Sequence, residues 1–164
     1  MQKELNVKIN NIYKNENKNI ELVTGYKMCV GDILKENFPD TYEKMLGVRV
    51  NNNIRTLDYK LVEDSVVEPL YYTSAEGYKI YCRTVKFLLY MALKRCYPKI
   101  HPSICNTIED TMYFMCKDAA ITEEMADVLQ NEMKRIIANN SKIEKLSVPY
   151  EEAKAIYGDS LYLA

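Results

Sequence analysis

The sequence contains no tryptophan, a single histidine and only five glycines. Neither GxGxxG nor GxxxxGK followed by Ser or Thr occurs, which excludes a glycine-rich loop for nucleotide phosphates in this chain. No run of about 18 apolar residues is present, and the polar, alternating start MQKELNVKIN is not a signal peptide. We therefore expect a cytoplasmic protein that has no membrane partner.

Charge and cysteine content narrow the function classes further. The formal net charge of −1 is not the basic footprint of a dedicated nucleic-acid binder, although it leaves room for a local basic face. The cysteines are scattered, odd in number and without CxxC spacing, which favours reduced thiols that pack as small apolar side chains. They are Cys29, Cys82, Cys96, Cys105 and Cys116.

The first 70 residues alternate in a way that predicts strands around one helix. Polar and apolar residues alternate over 4–10 and 20–25, which predicts a hairpin with the Asn-rich stretch 11–19 as its turn. Helical spacing follows in VGDILKENF and ends at Pro39, with a short helical turn expected over 41–45. Two further strands flank a turn at the Asn51 cluster, so the order β-β-α-β-β predicts a β-grasp sheet of the α+β class.

The second half predicts a small α+β domain with a long central helix packed on an antiparallel sheet. The segment EGYKIYCRTVKFLLYMALKRCYP predicts a helix over about 79–97, capped by Thr73 or Ser74. A hairpin over 101–116, a helix capped by Thr122, a strand KIEKLSV and a last short helix follow. We place a boundary near the junction, which gives domains over 1–72 and 73–164.

Two resemblances cover nearly the whole chain. Residues 4–70 resemble a TGS domain, the ubiquitin-like β-grasp module of threonyl-tRNA synthetases, certain GTPases and (p)ppGpp synthetases, through VGDILKENF and RVNNNIRTLDYKLVEDSVVEPL. Residues 76–157 resemble the second additional domain that follows TGS in threonyl-tRNA synthetases. The matching segments occur in the family's order: the long helix, then IEDTMYF, ITEEMADVLQNEMKRIIANNSKIEKLSV and PYEEAKAIYG.

Two protein families contain this pair of domains, and they differ in the residues at the start of the long helix. Synthetases carry His-x-x-x-His there, whereas the version linked to uridine-kinase-like nucleoside kinases has an Arg and an apolar residue. This sequence has Arg83 and Phe87 at those positions, so it resembles the kinase-linked form. That resemblance implies an ATP- and magnesium-dependent kinase domain beyond residue 164, which would be an intramolecular partner, and no cofactor in this chain.

The hydrolytic site of the synthetase domain lacks its parts here. Two histidines at i and i+4 suit metal binding or acid–base work, but Arg83 stays protonated and Phe87 has no polar atom. The only histidine, His101, is expected in a loop. We therefore expect no catalytic and no metal-binding residue. In one interpretation the degenerate site is a binding pocket for an anion, formed by Arg83, Phe87, Glu109 and Tyr113. In the other, Arg83 forms an ion pair with an acid such as Glu109, and the pair fills the former pocket.

The basic residues of the long helix and the tyrosines near the junction each have two possible roles. Its basic positions are expected on several faces, where they form a weak RNA-facing patch or a solvated surface: Lys79, Arg83, Lys86, Lys94 and Arg95. Tyrosines near the junction stack bases or pack the two domains together.

Our main hypothesis is that the chain is a non-catalytic accessory region of a nucleoside kinase-like protein. Its role would be regulatory, or it would bind RNA or a small ligand. The alternatives are an editing fragment of a threonyl-tRNA synthetase that hydrolyses seryl-tRNA, and a free-standing RNA-binding adaptor.

Overall fold

The described residues fold as a mixed α+β protein with a five-stranded sheet, a two-stranded sheet and helices, which confirms the α+β part of the predicted fold class. The computed structural model describes residues 3–14, 16–100, 102–108, 111–116, 119–140, 143 and 147–157. His101, Glu109, Asp110 and most of the strand predicted over 142–148 lie outside the described residues. No helix in the described ranges is long and apolar enough to cross a membrane.

The N-terminal hairpin is longer than predicted. Strands β1 (Glu4–Tyr13) and β2 (Glu16–Gly25) pair antiparallel without a break in register. The prediction of a long turn over 11–19 is therefore wrong, because both strands continue through the Asn-rich stretch. Asn11 is buried, and its side-chain oxygen accepts a 2.8 Å hydrogen bond from the Tyr71 hydroxyl. A buried amide with such a partner is compatible with a strand, which turn propensity alone does not anticipate.

Two short helices and three strands complete the first sheet. They are α1 (Val30–Asn37), α2 (Pro39–Tyr42), β3 (Met45–Val50), β4 (Asn53–Arg55) and β5 (Ser65–Tyr71). The strand order is β2-β1-β5-β3-β4, with β1 and β5 parallel and the other pairs antiparallel. The predicted order lacked β4, and the helical turn expected over 41–45 begins instead at Pro39, because proline is favourable at the first helical position.

One face of this sheet is covered by α1. Alternate residues of β1, β3 and β5 contact the helix and form a buried apolar cluster, and each fully buried aliphatic side chain contributes about 1.5–3 kcal/mol. The fully or almost fully buried members include Leu5, Val7, Ile9, Val30, Leu34, Val48, Leu61, Val67 and Tyr71. The opposite face of the sheet remains largely open, except near Gly47, where Ile80 of the following helix approaches.

The second half is built around one long helix. Its elements are α3 (Ala75–Cys96), β6 (Pro102–Ile108), β7 (Thr111–Cys116), α4 (Glu123–Ala138) and α5 (Tyr150–Tyr157). Helix α3 begins four residues earlier than predicted, because the Ser74 side chain caps it. Thr122 caps α4 as predicted. Buried residues of α3 and α4 form a second apolar cluster, against which Phe114 and Cys116 of β7 pack.

The junction between β5 and α3 is a tight turn centred on the Tyr71 carbonyl oxygen. This oxygen accepts hydrogen bonds from the Ser74 backbone N–H at 3.0 Å and from the Ser74 hydroxyl at 2.8 Å. The same hydroxyl oxygen accepts from the Gly77 N–H at 3.1 Å. A Cβ atom at Gly77 would lie 1.8 Å from the Tyr71 oxygen, so only glycine fits there.

We predict that Gly77→Ala destabilises the chain by about 1–3 kcal/mol, the range typical of overpacking. Gly25→Ala is the matched control, because a Cβ atom there would meet Met28 at an ordinary 3.5 Å. The measurement is urea unfolding of both variants followed by far-UV circular dichroism. Equal stability of the two variants would show that the junction is not as tightly constrained as its geometry indicates.

Candidate functional site

Helix α3 gathers most of its basic side chains on one face. Lys79, Arg83, Lys86, Tyr90 and Lys94 follow each other at spacings of four, three, four and four residues, which places them along one side of a helix. We call this face the basic stripe. The five basic residues together occupy more than one face, as expected, because Arg95 lies off the stripe; the i, i+4, i+7 spacing of Lys79, Arg83 and Lys86 is the sequence signal that was missed.

No acidic residue within α3 neutralises the basic stripe. Glu76 is the only acid in the helix, and its carboxylate pairs with Arg49 of β3 at 2.7 Å. The pKa of Glu76 is lowered, first by a hydrogen bond from its own backbone N–H and further by Arg49 and Lys79. Glu76 therefore stays ionised and engaged with Arg49, and the stripe keeps a local positive charge on a chain whose net charge is −1.

Arg95 does not belong to the basic stripe. Its guanidinium donates to Glu132 of α4 at 3.1 Å, and the Glu132 carboxylate also accepts from Arg135 at 2.7 and 2.9 Å. The Glu132 side chain is only 11% exposed, so this cluster joins α3 to α4 beside the second apolar cluster. Arg95, which the sequence suggested as part of a basic surface, is thus held in a structural contact.

The structure gives the position of three of the four residues of the predicted pocket, but no geometry among the described residues joins them into one site. Arg83 and Phe87 lie on α3 and are exposed, Phe87 to 42%. Tyr113 lies on β7 and is 51% exposed, while Glu109 lies outside the described residues. No hydrogen bond or ion pair joins the Arg83 side chain to another residue in the described part of the chain. The pocket and the pairing of Arg83 with Glu109 therefore remain predictions.

The chemistry of the exposed face follows from its side chains. Arg83 is a permanent cation with planar donors, and Phe87, four residues later, offers an exposed aromatic ring. Lys94 places its ammonium group 5.7 Å from the centre of the Tyr90 ring, so one aromatic ring of the stripe lies between Lys86 and Lys94. Among the described residues, no three His, Cys, Asp or Glu side chains are grouped to hold a metal ion. The stripe can bind anions and stack on planar groups, but its side chains supply no general base.

The junction tyrosines form ring contacts between the two halves of the chain. Tyr72, at the end of the first half, meets Tyr78 and Tyr81 of α3 edge-on, with ring centres 5.5 and 4.9 Å apart. Tyr71 and Tyr13 lie 4.6 Å apart within the first sheet. Such pairs stabilise beyond their buried area. These contacts fit the packing role that the sequence offered as one alternative for the tyrosines.

Sequence reasoning missed a surface cleft beside the junction. The cleft has a volume of about 690 Å³ and lies between the open face of the first sheet and the start of α3. Arg49 bridges Glu68 of β5 and Glu76 of α3 along its wall. The pKa of Arg49 is raised, mainly because its guanidinium donates a hydrogen bond to the Glu68 carboxylate. Arg49 lies 19 residues from Glu68 and 27 from Glu76, so no local pattern reveals the bridge: the sheet register places Arg49 opposite Glu68, and the start of α3 adds Glu76.

The fold and the basic stripe define an α+β protein in which one helix face carries four basic side chains, and this chain is similar to several known proteins. No family model matches the chain. The chain is 33% identical over 151 residues to the threonine–tRNA ligase of Clostridium tetani, covering 92% of this chain and 23% of that protein. The ligases of Clostridium kluyveri and Clostridium acetobutylicum are 32% and 30% identical over 137 and 124 residues, covering 83% and 75% of this chain. The chain spans about a fifth of the length of these curated relatives (21% and 20% for the latter two) and is similar to a part of them.

The Glu132 cluster predicts a pH dependence. Hydrogen bonds from Arg135 and then Arg95 lower the pKa of the Glu132 carboxyl from 4.5 to about 2. A carboxyl with a lowered folded-state pKa stabilises the fold above its unfolded pKa, and this contribution is lost as the pH falls from about 4.5 towards 2. We expect Glu132→Gln to melt at a lower temperature than the wild type at pH 7, and the difference to shrink across that window. A melting-temperature difference that stays constant from pH 7 to pH 2 would contradict the assignment.

Proposed function

We propose that the chain is a non-hydrolytic accessory region of the threonyl-tRNA synthetase type that binds RNA through the basic stripe of α3. The observation that carries this proposal is the stripe itself, with Arg83 and Phe87 at the positions where the synthetase domain has its two histidines. The similarity to threonine–tRNA ligases supports an RNA ligand, since the name of these relatives specifies tRNA as their substrate. The same similarity supports a cytoplasmic location.

The first 72 residues are, in this proposal, a TGS-type β-grasp domain, and residues 73–164 are a degenerate form of the synthetase's second additional domain. The mixed sheet with a parallel β1–β5 pair and a covering helix supports the first assignment. Two separate apolar clusters, one under α1 and one between α3 and α4, support a division near residue 72. The Tyr71 junction and the Arg49 bridge would then hold the two domains together.

The protein that hosts this region is a separate question. The relatives named above are ligases, which favours the threonyl-tRNA synthetase alternative over the nucleoside kinase expected from the sequence. Arg83 and Phe87 are the residues on which the kinase hypothesis depends, and the comparisons give that hypothesis no support. The coding sequence beyond residue 164 distinguishes the two, because a kinase requires a GxxxxGK motif followed by Ser or Thr, and a ligase requires a synthetase core.

The geometry of the basic stripe suits a phosphate backbone. From residue 79 to residue 94 the helix rises about 22 Å, at about 1.5 Å per residue. Lys79 and Arg83 are exposed, and Lys86 and Lys94 are half-buried. Cations spaced along such a length neutralise successive phosphates and release counterions, so binding weakens as salt rises. Phe87 and Tyr90 lie beside these cations and offer rings on which unpaired bases stack. An RNA ligand would contact both the row of cations and the aromatic rings, whereas a surface that is only solvated needs neither.

We predict that Arg83→Ala combined with Lys86→Ala weakens binding of a tRNA and lowers the slope of log affinity against log salt by about 2, one for each lost phosphate contact. Fluorescence anisotropy over a salt series measures both quantities. Arg95→Ala is the matched control on the same helix, because Arg95 is engaged with Glu132 and its loss should leave the slope unchanged. A wild-type chain that does not bind tRNA at micromolar concentration and physiological salt would refute RNA binding.

We also predict that the chain does not hydrolyse seryl-tRNA, because Arg83 and Phe87 replace the groups that acid–base or metal chemistry needs. The measurement is release of labelled serine from seryl-tRNA, with an active threonyl-tRNA synthetase as the positive control. Hydrolysis by the wild-type chain that is lost in Arg83→Ala would instead support an editing fragment with unexpected catalytic groups.

A further inference from the structure

Glu76 lies at the N-terminal end of the row of residues that forms the basic stripe. It comes three residues before Lys79 and seven before Arg83, so it occupies the same side of α3 as the stripe. A glutamate that precedes a lysine by one helical turn favours pairing with it. In α3 taken alone, the Glu76 carboxylate would therefore neutralise Lys79 and compete with an anionic ligand for this first cation of the stripe.

The structure gives Glu76 a different partner. The Arg49 guanidinium donates to the Glu76 carboxylate at 2.7 Å, and its other terminal nitrogen donates to Glu68. Between Glu76 and Lys79, both of which are described, the structure has no ion pair, and Arg49 lowers the Glu76 pKa more than Lys79 does. The Arg49 and Glu76 side chains are only 29% and 35% exposed, so salt screens their pair less than it screens fully exposed charges.

A second contact fixes the rotation of α3 that this pairing requires. Gly47 and Arg49 lie two residues apart on β3 and face the same side of the sheet. Ile80 packs over Gly47, where an added Cβ atom would lie 3.2 Å from the Ile80 Cδ1 atom. Glu76 and Ile80 are one helical turn apart, so their two contacts with β3 set the rotation of α3 about its axis and hold Glu76 beside Arg49.

We propose that Arg49 is a positioning residue for the basic stripe, which holds the Glu76 carboxylate on the sheet side and so leaves Lys79 available to an RNA phosphate. This inference rests on the proposed RNA binding, and it adds a residue outside α3 to that site. Arg49 does not need to touch the ligand, because two carboxylates already engage its guanidinium. It acts on the affinity through Glu76.

The test first removes the guanidinium. Arg49→Met keeps an unbranched side chain on β3 but frees Glu76 to pair with Lys79. We expect this variant to bind a tRNA about twofold more weakly at fixed salt, the effect typical of an ion pair one helical turn apart. The slope of log affinity against log salt should fall by up to about 1, for one phosphate contact. Fluorescence anisotropy over a salt series measures both quantities, and an unchanged affinity and slope would overturn the proposal.

Two double variants separate the role of Glu76 from a general effect of charge. Arg49→Met with Glu76→Gln and Arg49→Met with Glu68→Gln both keep the net charge of the wild type, and each removes one carboxylate of the same bridge. Only the first should restore the wild-type affinity and slope, because Glu68 lies on β5 and not on α3. Equal restoration by both would show a general charge effect, and restoration by neither would show a purely structural role of Arg49. Either result would overturn the proposal.

A measurement without RNA separates this proposal from the proposed function. The NMR signal of the Lys79 ammonium group should shift in Arg49→Met and return to its wild-type position when Glu76→Gln is added. A signal that does not move in Arg49→Met would overturn the positioning role. A wild-type chain that binds no tRNA, while this signal responds as expected, would refute RNA binding and leave the positioning of Glu76 established.

The single variant Glu76→Gln keeps the proposal testable if Arg49→Met does not fold, because it retains Arg49 and nearly the same side-chain shape at a half-buried position. It should leave the salt slope of tRNA binding unchanged, since Glu76 is already held away from Lys79. A slope that rises by about 1 would show that Glu76 occupies Lys79 in the wild type, and this would overturn the proposal.

Discussion

The structure depends on Tyr71, which is anchored in the first sheet by its side chain and begins the second half with its backbone. The side chain is 2% exposed, and its hydroxyl donates to Asn11 at 2.8 Å. Burial raises the pKa of Tyr71, so the hydroxyl keeps its proton and its hydrogen bond. The carbonyl of the same residue accepts both donors of Ser74, and Ser74 in turn caps α3. One residue therefore couples the packing of the sheet to the starting point and direction of the long helix.

That coupling gives the basic stripe a defined relation to the sheet. Because α3 starts from a fixed turn and Arg49 holds Glu76 in its first turn, the helix cannot rotate freely about its axis. Glu76, the one acid of α3, pairs with Arg49 on the sheet side and has only a weaker electrostatic interaction with Lys79, while Arg83 and Lys86 have no acidic partner within the helix. The separation of charges is thus a consequence of the junction. A helix attached by a flexible linker would offer the same residues, but not in a fixed position.

Local patterns predicted much of the fold, and contacts between distant residues account for the rest. Helical periodicity and capping residues located α1, α3 and α4, including the cap at Thr122, because these signals lie within a few residues of each other. The Asn-rich stretch misled the prediction, since asparagine favours turns unless a partner such as Tyr71 satisfies it in a strand. The Arg49 bridge joins three elements and leaves no local pattern. The positions of Arg83 and Phe87 followed from the sequence, and the shared face of Lys79, Arg83 and Lys86 could have been predicted from their spacing within the expected helix.

In the proposed relation to the synthetase domain, Arg83 and Phe87 take the positions of two histidines, and they change what the helix can do more than how it folds. Both residues are exposed, so neither is buried in either apolar cluster. A histidine pair at i and i+4 can share a metal ion or pass a proton. An arginine and a phenylalanine at the same spacing can hold a phosphate and stack a base, and neither changes its protonation near neutral pH. The side chains present at these two positions therefore suit binding rather than hydrolysis.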